Sequence, residues 1–168
     1  MLDLSDLEQA ARTFAAERHG AQRYGDHPYT FHLERVRAVL ADHGYGGALG
    51  VAAWLHDILE DTPTTRDEIA DRFGAHVAAL VWAVTGVGAT RKERNASMYG
   101  KIRDTEGAAL LKLADRIANV EAARTRPDKL RMYRSEAEAF TQALAGLGDP
   151  RLWARLQAAF AAAPRDPG

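Results

Sequence analysis

Apolar residues recur three and four positions apart along almost the whole chain, and nowhere do β-branched residues alternate long enough to mark a sheet. That period allows helices and little else. The spacing predicts an all-α fold, a single compact helical bundle of about eight or nine helices. At 168 residues the chain can bury a substantial core without staples, and it carries no internal repeat and no linker that would separate two domains.

Punctuation residues set the helix limits. Ser5 and Glu8 are spaced as a capping box for a first helix from Leu4 to His19, with Gly20 as its stop. AQRYGDHP reads as a loop, followed by helices from Tyr29 to His43 and from Ala48 to Asp61, the latter ending before Pro63. Thr65 and Glu68 form a capping box for a short helix reaching Phe73, and Gly74 separates it from the helix that contains VAALVWAV. TGVGAT is a loop, RKERNASMYGKI a polar helix and EGAALLKLADRIANVEAAR an apolar helix with a polar stripe. Helices near 128–146 and 150–163 complete a domain of residues 1–163, and 164–168 form a disordered tail.

Composition narrows the chemistry. The chain has no cysteine, so disulfides, thiolate zinc sites and a cysteine nucleophile are excluded, and any metal must use nitrogen and oxygen. A net charge of −1 with interspersed signs gives no electrostatic footprint for a long nucleic acid, while a small anionic substrate remains compatible. The longest apolar run has eight residues, against roughly 20 needed to span a bilayer. With an acidic N-terminus that lacks a signal pattern, a soluble cytoplasmic protein without a membrane partner is expected. The oligomeric state is not readable, and Trp82, Trp153 and Phe160 are assigned to core packing.

One stretch conflicts with the apolar pattern. In WLHDILEDT, residues 54–62, helical spacing brings His56, Asp57, Glu60 and Asp61 to one side of a helix end. Two carboxylates there meet the negative end of the helix dipole with no Lys or Arg beside them. Burying such groups costs several kcal/mol unless they are paired, protonated or bound to metal. Two further polar residues interrupt apolar stripes. His32 shares a stripe with Val36, Val39, Leu40 and His43; Asp115 lies on a narrow polar strip with Lys112, Arg116 and Asn119.

Each has an ordinary explanation taken singly: a solvated helix end for the His-Asp pair, a hydrogen-bonded core histidine for His32, an ion pair with Lys112 or Arg116 for Asp115. Together His32, His56, Asp57 and Asp115 make a two-imidazole, two-carboxylate set that suits Mn²⁺, Fe²⁺ or another first-row ion. Mg²⁺ is less natural with two imidazoles.

The order PYTFH, WLHDILEDT, LLKLADRIANV resembles the H…HD…D signature of the HD phosphohydrolase superfamily. More narrowly, HD followed by ED and an ADR-x-x-N helix is similar to the hydrolase domain of RelA/SpoT alarmone enzymes and their small stand-alone relatives. The resemblance implies that His32, His56, Asp57 and Asp115 coordinate one ion, usually Mn²⁺, and that Glu60 and Asp61 position and activate the attacking water. It implies that Arg23 packs on a guanine base, that Asn119 contacts the nucleoside, and that Arg91, Lys92 and Arg94 meet phosphates. The implied activity is Mn-dependent hydrolysis of the 3′-pyrophosphate of guanosine alarmones, (p)ppGpp, by metal-activated water.

Two departures stand out. Leu33 follows His32 where the family commonly has proline, and the loop around Gly25 is shorter and lacks the basic residue beside Arg23. The second motivates an alternative, an HD-type phosphohydrolase of another nucleotide. A non-catalytic nucleotide-sensing domain is a third reading, against which stands a costly acidic set that pure binding does not need.

Overall fold

The computed structural model describes residues 3–165, and among these the chain is helical apart from one short ribbon. Helix α1 (Leu4–His19) turns Ala11, Phe14, Ala15 and His19 inward. Its cap differs from the expectation: Asp3, two positions before Ser5, accepts from the Asp6 N–H at 2.9 Å. Ser5 therefore lies inside the helix, and Glu8 is free to bind elsewhere. It accepts from the Arg37 guanidinium and, at 3.2 Å, from the Trp54 indole. Burial pushes the Glu8 carboxyl up, but these partners outweigh it and hold the group below the usual range.

The expected loop 21–28 is a tight antiparallel hairpin, in which β1 (Arg23–Tyr24) pairs with β2 (His27–Pro28). Gly25 takes φ +58° at the turn, a conformation that favours glycine. Helix α2 (Thr30–Asp42) follows and buries His32, Leu33, Val36, Val39 and Leu40.

The helix expected over 48–61 is broken. Helix α3 (Ala48–Leu55) stops at His56, and a single turn, α4 (Ile58–Asp61), resumes after Asp57. His56 Nδ1 lies 2.8 Å from the Ala53 carbonyl, so the side chain competes with the backbone for that acceptor. Asp57 takes φ −102° and ψ −1°, at the edge of the right-handed helical region.

Helix α5 (Arg66–Phe73) starts at the expected Thr65–Glu68 capping box. Helix α6 (Ala75–Ala83) carries the apolar run, and loop 85–90 leads into α7 (Arg91–Asp104) through a second capping box, Thr90 with Glu93. Helix α8 (Ala108–Ala122) is almost wholly buried and packs between α2 and α10 (Pro150–Ala162), with α9 (Pro127–Leu144) alongside. Leu111, Leu113 and Ile117 on α8 are fully buried, as are Leu33, Leu55, Ile58 and Phe140 around them. Each such side chain contributes roughly 1.5–3 kcal/mol of transfer free energy, so α8 is held where it stands, and with it Asp115. No helix of the described residues is long and apolar enough to cross a membrane. Of the expected tail, residues 164 and 165 have no regular structure and 166–168 lie outside the described residues.

Candidate metal centre and adjoining cleft

Three elements converge on one point. His32 sits in the first turn of α2, His56 and Asp57 at the break between α3 and α4, and Asp115 midway along α8. His32 Nε2 lies 3.0 Å from Asp115 Oδ1 and 3.5 Å from Asp57 Oδ2. His56 Nε2 lies 3.0 Å from Asp57 Oδ2, 3.3 Å from Asp115 Oδ1 and 3.2 Å from His32 Nε2. One donor atom from each residue falls within 4.8 Å of the others. The break in the helix is what lets two consecutive residues reach the same point.

The tautomer of His56 tests whether a cation fits. The Ala53 carbonyl can only accept, so Nδ1 must donate to it, and a neutral ring then presents the Nε2 lone pair to two carboxylate oxygens and another imidazole. Such a set of lone pairs needs a proton or a cation among them. Burial opposes a charged imidazole, yet Asp57 and Asp115 outweigh it and raise the His56 pKa well above its ordinary value. Burial likewise opposes the two carboxylates, but His56 holds Asp57, and Lys112 with both histidines holds Asp115, below the usual range. The pocket thus favours positive charge at its centre. Two imidazole nitrogens with two carboxylate oxygens fit a first-row divalent ion.

Surrounding side chains orient these donors. The Tyr29 hydroxyl donates to Asp57 Oδ2 at 2.6 Å, and Asn119 Nδ2 donates to Asp115 Oδ1 at 3.0 Å. The Tyr24 hydroxyl donates to Asn119 Oδ1 at 2.7 Å, while its ring stacks on His32 with centroids 4.7 Å apart. Among the described residues His32 Nδ1 has no hydrogen-bond partner, so stacking sets that ring's plane. Asp115 answers both sequence readings at once. Its Oδ2 accepts from Lys112 at 2.9 Å while its Oδ1 faces the histidines. Arg116 faces away from it, pairing with Glu136 at 3.0 Å and lying over Phe140 at 4.5 Å.

Glu60 and Asp61 sit at the exposed mouth of this centre. Glu60 Oε1 accepts from the Gly86 N–H at 2.5 Å, and Asp61 Oδ2 accepts from Gln22 Nε2 at 3.0 Å. A Cβ on Gly86 would lie 2.7 Å from Arg94 Cβ, which is why a residue without one brings the loop this close to α7. The protein packed around both carboxyls pushes their pKa values up, with the Asp57 charge adding to the effect.

A cavity of about 210 Å³ opens over the cluster, with Glu60, Asp61, Arg91, Arg94, Asn95 and Lys112 on its walls. Arg91 reaches it while paired with Glu136, and Arg94 sits 3.4 Å from the Ala89 carbonyl. Lys92 is exposed and is not among the residues lining this cavity. A second cavity of about 200 Å³ adjoins the first through Tyr24, Asn119 and Tyr133, and Arg23 lines it. Arg23 and Asn119 are therefore brought together, one beside the hairpin turn and one between the cavities.

Tyr29 and Tyr24 were missed by sequence reasoning. Tyr29 precedes His32 by three positions and so shares its helical face, a usable signal. Tyr24 reaches the site only through a hairpin too short to show alternation.

Comparison with known proteins agrees with this architecture. The HD domain family matches residues 11–146. A guanosine-3′,5′-bis(diphosphate) 3′-pyrophosphohydrolase of Aquifex aeolicus is 43% identical over 119 residues, covering 67% of this chain and 17% of that protein. The bifunctional (p)ppGpp synthase/hydrolase SpoT of Escherichia coli K12 is 33% identical over 140 residues, covering 77% of this chain and 20% of that protein. The chain thus spans a fifth or less of the length of these curated relatives. A solved structure described as a metazoan ortholog of SpoT that hydrolyzes ppGpp shares the fold, with a TM-score of 0.82 at 24% identity over 96% of this chain and 97% of that one. The family match extends over most of the chain and follows the same helices that build the metal centre: the chain belongs to the HD domain family, related within it to the RelA/SpoT hydrolase domain.

Proposed function

We propose that the chain is a phosphohydrolase that uses one divalent ion, Mn²⁺ by preference, to remove the 3′-pyrophosphate of guanosine alarmones. The observation that carries this reading is the convergence of four donors beneath a cleft whose mouth holds two carboxylates and whose wall holds two arginines. His32, His56, Asp57 and Asp115 would hold the ion. A divalent cation in such a site polarises a phosphoryl oxygen and lowers the pKa of water.

The chain's own residues supply the remaining parts. Glu60, fixed by the Gly86 N–H, accepts the proton of the attacking water. Asp61, held by Gln22, orients that water from the other side of the mouth. Arg91 and Arg94 offset the charge of the departing pyrophosphate, with Lys92 at the periphery. Asn119 contacts the ribose from a position fixed by Tyr24 and Asp115, and the planar Arg23 guanidinium stacks on the base. Water adds to the phosphorus joined to the 3′ oxygen, that P–O bond breaks, and pyrophosphate and the 3′-hydroxyl nucleotide are released. A cytoplasmic setting agrees with the absence of cysteine.

Purified protein in Mn²⁺ is expected to release pyrophosphate and guanosine diphosphate from guanosine 3′,5′-bis(diphosphate). No pyrophosphate under conditions where a control hydrolase turns over would contradict the assignment. The second reading, another nucleotide, is favoured by Tyr24 standing where the family has a base beside Arg23. Faster turnover in a nucleotide panel of a substrate lacking the 3′-pyrophosphate would select it.

A further inference from the structure

We infer that His19 is a positioning residue, fixing the direction of the Gln22 amide so that its N–H meets the Asp61 carboxylate; this rests on the role proposed for Asp61 above. His19 ends α1 and is 6% exposed, a buried imidazole outside the metal set. Two hydrogen bonds tie it to the mouth of the cleft. An ionised Asp61 can only accept, so Gln22 must turn Nε2 toward Asp61 Oδ2, 3.0 Å away. The amide then presents Oε1 to His19 Nδ1 at 2.8 Å, and the imidazole must donate from that nitrogen.

The other ring nitrogen fits that direction. Among the described residues His19 Nε2 is buried without a hydrogen-bond partner, as the bare lone pair of a neutral ring protonated on Nδ1 would be. An unpaired buried nitrogen costs stability. The packing at this point, a stack on Tyr29 with centroids 4.6 Å apart, needs a ring but no nitrogen. What an imidazole adds to a phenyl ring here is the Nδ1 donor alone.

The backbone around Gln22 is already tied on both sides. Its N–H donates to the His19 carbonyl at 3.0 Å, and its carbonyl accepts from the Tyr29 N–H at 3.1 Å. The freedom that remains is in the side chain, which has several rotamers and an amide that can turn end for end. Turned over, the amide would aim Oε1 at a carboxylate, two acceptors face to face. The His19 Nδ1–H removes that alternative by claiming Oε1. The same ring stacks on Tyr29, whose hydroxyl donates to Asp57 Oδ2 at 2.6 Å. His19 thus stands behind both the metal set and the water-orienting carboxylate, reaching each through one intermediate side chain.

The test is a double-mutant cycle on the whole chain, read by steady-state hydrolysis of guanosine 3′,5′-bis(diphosphate) at saturating Mn²⁺. His19→Phe keeps a ring on Tyr29 and removes the donor; it is expected to lower kcat about tenfold with KM within about twofold, the effect of a reacting group left loosely held. Gln22→Met should lower kcat to the same extent, and the double variant no further, since both break one chain of hydrogen bonds. His19→Asn, whose amide nitrogen falls near the place of Nδ1, should restore kcat to within about threefold of the parent. Thermal melts report folding separately. In the unsubstituted protein, nitrogen NMR at alkaline pH should find the His19 proton on Nδ1, a result that needs no variant. A proton on Nε2, losses that add in the double variant, or a folded His19→Phe protein with the parent's kcat would overturn the assignment. Absence of turnover in the unsubstituted protein would instead remove the reading of the function, with the tautomer still deciding the link to Gln22.

Discussion

Glu60→Gln is expected to cut turnover by about 10³-fold while nucleotide and metal binding persist, the size of effect that loss of a general base produces. The amide keeps the length of the side chain, and its oxygen can still accept from the Gly86 N–H, so the mouth of the cleft holds its shape. What is lost is the ability to take a proton. Steady-state kcat with separately measured nucleotide affinity distinguishes this from a damaged pocket. Turnover within about tenfold of the parent would pass the role to Asp61, which the Gln22 amide holds across the mouth.

The second large effect is on stability. Mn²⁺ at a thousand times its dissociation constant adds about 4 kcal/mol to a native state that binds it when the unfolded chain does not. For a chain of this length that corresponds to a rise in melting temperature of about 10 °C. Asp115→Ala removes one of four donors and leaves the Lys112 ammonium beside the site without its carboxylate, so the metal-dependent rise should vanish. Protons compete with the ion at the His56 imidazole, whose pKa the neighbouring carboxylates raise, and the rise in the parent protein should therefore weaken as pH falls. Scanning calorimetry across a manganese titration checks both statements. An equal rise in the variant would place the ion elsewhere.

Most helices were legible because the apolar period repeats over many residues and because glycine, proline and capping boxes end it sharply. The break at His56 was not legible. It arises from one side-chain hydrogen bond to the Ala53 carbonyl, which no periodicity reports. The Asp3 cap was hidden because Ser5 and Glu8 satisfy the same pattern two residues later, and Glu8 is drawn away by Arg37 and Trp54 from other helices. Tertiary partners decided that choice.

The candidate site divides in a similar way. His32, His56, Asp57 and Asp115 stood out as polar groups inside apolar stripes, and the structure brings them together. Tyr29 and Tyr24 did not, because an aromatic residue near a core needs no explanation until its hydroxyl is seen on Asp57 or Asn119. Lys92, grouped with Arg91 and Arg94 by the family resemblance, is not among the residues lining the cleft, since a helix sends neighbouring side chains about 100° apart.

The most direct measurement is an anomalous-difference map recorded near the manganese absorption edge from crystals soaked in Mn²⁺. The account predicts one strong peak bounded by the Nε2 atoms of His32 and His56 and by carboxylate oxygens of Asp57 and Asp115. A peak elsewhere, or none there at saturating manganese, would contradict it.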